Sequence, residues 1–134
     1  MGIAREYTVR KRDMHKAIIQ HTISFKHAFD GLRWAIQTQP NFRIHIFLTL
    51  LALTLAWYFR ITRPELIVIL FTIVLGFTAE MINTSIEAMT DLITTEYRKD
   101  AKIAKDVAAG MMLVTAVGAA VVGCVIFIPY IQKL

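Results

Sequence analysis

Residues 107–131 read VAAGMMLVTAVGAAVVGCVIFIPYI, a run of 25 positions without Asp, Glu, Lys or Arg. Wound as a helix it leaves no polar face for water, so it does not belong on the surface of a soluble bundle. At about 1.5 Å of rise per residue, about 20 apolar residues cross the hydrocarbon core of a bilayer. The run therefore has spanning length by itself. Two more uncharged runs precede it, Ile44–Phe59 (IHIFLTLLALTLAWYF) and Leu66–Ala79. The first reaches spanning length once Phe42 and the snorkelling Arg43 and Arg60 are included. The second does so if its helix continues through Glu80 toward Leu92.

Composition points the same way. Hydrophobic residues make up 56% of the 134 positions and charged residues 19%, which excludes a disordered chain. So small a body lacks the interior to hide that much apolar surface, and the excess must face lipid or other subunits. The expected fold class is an all-α membrane protein with three transmembrane helices, at about 42–60, 65–92 and 103–131.

Charge placement adds a topology. The net charge is +5, and eight basic residues (Arg5, Arg10, Lys11, Arg12, Lys16, Lys26, Arg33, Arg43) precede the first span. The first link holds only Arg60 and Arg63, the second holds Arg98, Lys99, Lys102 and Lys105, and the tail holds Lys133. Positive residues favour the cytoplasmic side. The N-terminus and second link are thus expected inside, and the first link and C-terminus outside. The basic surplus reads as a topology signal, and no nucleic-acid partner is implied.

Ahead of the spans, Phe25, Phe29, Leu32 and Ile36 fall within about 60° of one another on a helix, opposite Lys26, Asp30, Arg33 and Gln37. This predicts an N-terminal amphipathic surface helix over 24–39, broken by Pro40. Residues 1–23 read as a basic extension. Cys124 lies inside the third run, where an apolar buried role is expected of it. In the same run Ala109, Ala116, Ala120 and Gly123 share a face within about 60°, the kind of small-residue surface on which membrane helices approach closely. Three thin helices enclose little volume, so a homo-oligomer is expected.

The chemistry concentrates in Glu80-Met-Ile-Asn-Thr-Ser-Ile-Glu87-Ala-Met-Thr-Asp91. On a helix, Glu80, Asn83, Thr84, Glu87 and Asp91 share an arc of about 100°. An ionisable stripe on an apolar helix is expensive at membrane depth unless it faces a cavity or a polar partner. Carboxylates seven residues apart lie about 10 Å apart along the axis, too far to share one small ion but suited to two tasks. One can bind a divalent cation and the other can act as base toward a hydroxyl, and the spacing does not say which does which. Beyond them, Lys102, Lys105 and Asp106 share a helix face at the mouth of the third span. Acids for a metal beside a lysine for phosphate suggest nucleotide handling. No glycine-rich phosphate loop, dinucleotide fingerprint or protein-kinase catalytic loop accompanies them. Phosphoryl transfer would rest on side chains and metal, which suffices because that reaction needs chiefly positioning and charge neutralisation.

At these residues the sequence resembles the small prokaryotic diacylglycerol kinase and undecaprenol kinase family of integral membrane enzymes. The family pattern E-x-(aliphatic)-N-(S/T)-(S/A)-(aliphatic)-E-x-x-V-D is matched at Glu80, Asn83, Thr84, Ser85, Glu87 and Asp91, with Thr90 in place of valine. The stretches AKIAKDVAAG (101–110) and FKHAFDGLRWA…NFRIH (25–45) match two further blocks.

The resemblance implies an ATP- and Mg2+-dependent lipid kinase over 24–134, homotrimeric, in the bacterial cytoplasmic (inner) membrane. It implies Glu80 as the base, Glu87 as ligand of metal and nucleotide, and Asn83 as support for the lipid end of the site. Glu96, Tyr97, Lys105 and Asp106 would bind ATP, and the segment from Asn41, Phe42 and Arg43 to His45 would lie near the lipid. Gln39 stands where the family commonly has a second metal-binding glutamate, and an amide oxygen is a weaker, uncharged ligand. NFRIH and AKIAKDVAAG resemble the undecaprenol branch more than the diacylglycerol branch, so undecaprenol is the expected substrate and diacylglycerol the alternative. The rival from another class is a non-catalytic oligomeric membrane subunit, which should tolerate Gln at Glu80 and Glu87.

Overall fold

The computed structural model describes residues 25–133, and the regular structure among them is entirely helical. Helix α1 covers 25–38, α2 Pro40–Phe59, α3 Arg63–Ile93 and α4 Lys99–Ile131. Three of the four, α2, α3 and α4, are long and apolar enough to cross a membrane. The expected basic extension over 1–23 and the first residue of the surface helix lie outside the described residues.

The chain divides into two compact units at residues 38 and 39. In the first, α1 exposes Phe25, Phe29 and Ile36 and buries Ala35. The second unit opens with Gln39 in extended backbone (φ −96°, ψ 112°), the conformation that a following proline imposes. Pro40 then takes the first turn of α2, where its missing N–H leaves no hydrogen bond unmade. One residue thereby ends α1 and starts α2, as its sequence position predicts.

Helices α2 and α3 are joined by three residues. Arg60 adopts the left-handed conformation (φ 52°, ψ 48°) and Ile61 N–H donates to the Ala56 carbonyl at 3.2 Å, which closes α2. Glu65 then caps α3. Its Oε2 accepts from the Thr62 backbone N–H at 2.8 Å and from the Thr62 hydroxyl at 2.6 Å. The same oxygen accepts from the Tyr130 phenol at 2.8 Å, tying the end of α4 to the start of α3. Beside this tie, Ala56, Ile69, Ile126 and Phe127 form the buried core where the three spans converge. Tyr130→Phe is therefore expected to lower the thermal midpoint in detergent. Equal midpoints for the two proteins would show that this bond adds nothing to stability.

At the opposite end α2 stops short of its neighbours. Phe42 is buried against Phe77 with ring centroids 5.1 Å apart, and His45 lies on the same ring at 5.9 Å. Gly76 permits this approach, since a Cβ there would sit 3.3 Å from the His45 Nδ1. The start of α2 is thus level with Phe77, and residues 78–93 of α3 run past it beside the first turns of α4. With 31 and 33 residues, α3 and α4 measure about 46 and 50 Å, against about 30 Å of hydrocarbon core. The excess of both helices lies at the end that carries Glu87 and Lys105.

One expectation needs correction, and one helix runs further than its apolar stretch. The helix that carries the third apolar run starts at Lys99, because Lys99, Asp100 and Lys102 sit on polar turns that remain helical beyond the apolar stretch. Cys124 is exposed rather than buried. Only 11%, 22% and 11% of the three apolar windows are buried within the chain, so most span residues face outward whatever their hydrophobicity. Between helices in lipid the association rests on van der Waals packing, and three helices have few facing surfaces on which to pack.

Candidate functional site

The stripe of α3 forms as its spacing predicts. Glu80, Asn83, Thr84 and Thr90 are buried, Glu87 is half-buried and Asp91 is exposed. The Asn83 Nδ2 donates to Glu87 Oε1 at 3.0 Å, one helical turn along. That bond orients the carboxylate and leaves the amide oxygen of Asn83 free of it. Thr90 turns its hydroxyl back to the Ile86 carbonyl at 2.7 Å, which keeps it out of the polar stripe.

Glu80 is only 1% exposed, the deepest ionisable side chain among the described residues. Its Oε2 and the Oδ1 of Asn83 are buried without a hydrogen-bond partner. An acceptor left unsatisfied in a buried site costs about 1–3 kcal/mol, so these two, at i and i+3 on one helix, are open to a donor. A hydroxyl group is such a donor.

The second cluster lies around the link between α3 and α4. Asp91, Glu96, Tyr97, Lys105 and Asp106 line one cleft of about 400 Å³, together with Arg98 and Lys102. Four residues expected in an ATP site, Glu96, Tyr97, Lys105 and Asp106, are therefore brought together. Glu87 does not line the cleft; it lies one turn before Asp91 on the same helix. The link is shaped by Thr94, whose hydroxyl accepts from the Glu96 N–H at 3.1 Å.

Charges in the cleft are paired both within α4 and across to α3. Lys105 Nζ reaches across to Asp91 Oδ1 on α3, and Lys102 Nζ pairs with Asp106 Oδ2 within α4. The i, i+4 spacing of Lys102 and Asp106, on the helix face that the sequence already indicates, is the local signal for the second of these pairs. The Asp91–Lys105 contact joins residues 14 apart in sequence and depends on the register of two helices, for which no local signal exists.

The remaining expected residues sit at the start of α2. Asn41 and Arg43 are exposed there, Phe42 is packed on Phe77, and Gln39 is the half-buried N-cap residue whose side chain makes no cap bond. Among the described residues no three His, Cys, Asp or Glu side chains gather to hold a metal by themselves. Glu87 alone offers a hard carboxylate oxygen next to a positioned amide. That set suits Mg2+, which commonly takes one or two protein carboxylates and completes its shell with phosphate oxygens and water.

A second, apolar groove of about 340 Å³ lies between α2, α3 and α4, with His45 and Gly76 at one end and Phe127 at the other. Ala116, Ala120 and Gly123 of the predicted small-residue face line it, and Ala109 does not. Gly76 is one helical turn from Glu80, so the groove begins beside the buried carboxylate.

Comparison with known proteins gives the chain a family. The family profile described as prokaryotic diacylglycerol kinase matches residues 26–127. A diacylglycerol kinase from Synechocystis sp. is 36% identical over 113 residues, 84% of this chain and 65% of that protein, so the chain spans under two thirds of its length. An undecaprenol kinase from Bacillus subtilis is 36% identical over 106 residues, 79% of this chain and 86% of that protein. A diacylglycerol kinase from Escherichia coli is 26% identical over 100 residues, 75% of this chain and 82% of the relative.

Proposed function

The chain belongs to the prokaryotic diacylglycerol kinase family, and from that premise we propose that it transfers the γ-phosphoryl group of ATP to the hydroxyl of a membrane lipid alcohol, undecaprenol. The observation that carries this reading is the pair of buried, unpartnered acceptors on Glu80 and Asn83, open to a hydroxyl donor on the same helix that, two to three turns further on, walls a cleft able to take a nucleotide.

In the proposed reaction the lipid oxygen attacks the γ-phosphorus and forms the new P–O bond. The bond from that phosphorus to the β–γ bridging oxygen breaks, ADP leaves, and the hydroxyl proton passes to Glu80. Lys105 brings an ammonium to the phosphates, while Glu96, Tyr97 and Asp106 line the remainder of the nucleotide cleft. Mg2+ held by Glu87 and the phosphates would neutralise charge developing on the phosphoryl oxygens. Gln39 adds an uncharged oxygen at most.

Depth supports this division of labour. Glu80 lies one turn past Phe77, level with the start of α2 and hence near the hydrocarbon boundary, where a lipid hydroxyl resides. The cleft lies further out, in the region that water and ATP reach. The proposed topology puts the N-terminus and the 94–98 link in the cytoplasm and the 60–62 link and C-terminus outside, within the bacterial cytoplasmic membrane. The outward-facing apolar surface is consistent with a homotrimer.

Undecaprenol is favoured over diacylglycerol by NFRIH (41–45) and AKIAKDVAAG (101–110). The diacylglycerol reading has the Synechocystis relative in its favour, at the same 36% identity. The test offers purified protein Mg-ATP with the two lipids side by side, and undecaprenol is expected to give at least a roughly tenfold higher kcat/KM. Equal rates or a preference for diacylglycerol defeat the substrate assignment. Phosphorylation of neither lipid by folded protein defeats the kinase reading.

A further inference from the structure

The cleft contains one ion pair that bridges its two walls. Lys105 is on α4 and Asp91 on α3, and their side chains are 40% and 63% exposed. Exposed pairs of this kind add little to folding stability. Its use must therefore be sought in where it holds the ammonium. A lysine head is a compact cation with three donors on a flexible four-carbon stem, and it has no preferred direction of its own. Asp91 comes from a helix face fixed by the packing of α3 on α4, and it engages one of the three donors. The other two remain for phosphate oxygens.

We propose that Asp91 is a positioning residue for nucleotide binding, holding the Lys105 ammonium in place at the wall of the cleft. This rests on the nucleotide reading of the cleft given above. Asp91 acts in two opposed ways. Its carboxylate fixes Lys105, which favours a polyphosphate, and its negative charge repels the same polyphosphate. The geometry makes the first effect dominant while Lys105 is present, because the carboxylate is already neutralised by the ammonium. With Lys105 removed, only the repulsion is left.

That reversal of sign is the test. Mg-ATP dissociation constants are measured by calorimetry on the full chain in detergent, with thermal midpoints as a check of folding. Asp91→Asn is expected to weaken binding about fivefold, within the range of coupling between contacting residues, and Asp91→Glu to recover most of it. In a Lys105→Gln background, Asp91→Asn is expected to leave affinity unchanged or to tighten it. Equal weakening in both backgrounds would mean that Asp91 acts through general structure, and the proposal fails. Unchanged or tighter binding by Asp91→Asn alone overturns it as well. Absence of saturable Mg-ATP binding by the unaltered protein overturns the nucleotide reading itself, a result distinct from either.

Discussion

Glu80→Gln is expected to lower lipid phosphorylation by about 10²- to 10⁴-fold, the span that general-base catalysis commonly supplies. Gln keeps the shape of the side chain and an oxygen acceptor but cannot take the proton. The carboxylate is 1% exposed, and one of its oxygens lacks a partner, so ionised Glu80 carries a desolvation penalty that the amide escapes. The thermal midpoint should therefore hold or rise while turnover collapses. Mg-ATP affinity should change little, because Glu80 stands two turns away from Glu87 and does not line the nucleotide cleft. Rate measured with undecaprenol, midpoint and nucleotide affinity together make the check. A variant that retains its rate would remove the base from Glu80 and would favour the non-catalytic subunit.

The combination of a stable fold and a lost rate is what separates the two functional classes. In a structural subunit a buried carboxylate has to contribute to stability or assembly, and its loss would then show in the midpoint. In an enzyme it is tolerated at a cost to stability because the substrate completes its bonding. The orphaned oxygens on Glu80 and Asn83 correspond to the second case.

What the sequence discloses here follows from the range of each interaction. An uncharged run of 25 residues determines a span without reference to the rest of the chain. The 3.6-residue period alone puts Glu80, Asn83 and Glu87 on one face, and the Asn83–Glu87 bond is an i, i+4 contact of the same origin. Lys102–Asp106 is legible by that rule too. Two things were not legible. An all-apolar helix carries no periodicity to say which side is covered, so the exposure of Cys124 could not be read. The Asp91–Lys105 pair depends on how far α4 is slid along α3, which the short 94–98 link and the side-chain packing decide together. Charges at Lys99, Asp100 and Lys102 mark only the end of the apolar surface of α4, and the helix itself runs on through them.

Glu87→Gln is expected to fail in a different way. Its carboxylate accepts from Asn83 at 3.0 Å, and the amide replacement can still accept there, so local packing should survive. What is lost is the negative charge toward a divalent cation, and an amide oxygen is a weaker, uncharged ligand. Mg-ATP affinity should fall at least about tenfold and kcat/KM by about 10²-fold, since metal and phosphoryl positioning carry this class of reaction. Asn83→Ala should do less on the nucleotide side, because it only frees the carboxylate to rotate. Combined with Glu87→Gln it should add little on that side, as expected for two residues serving one function. On the lipid side Asn83→Ala also removes the unpartnered Oδ1, so its effect there should persist in the Glu87→Gln background. Asn83 would then be coupled to Glu87 when nucleotide affinity is measured and independent of it when KM for the lipid is measured. If instead both readouts are additive, Asn83 and Glu87 do not form a unit, and the bond between them is a surface detail of α3. If Glu87→Gln binds Mg-ATP normally, the metal is held elsewhere and the assignment of the two carboxylates must be redrawn.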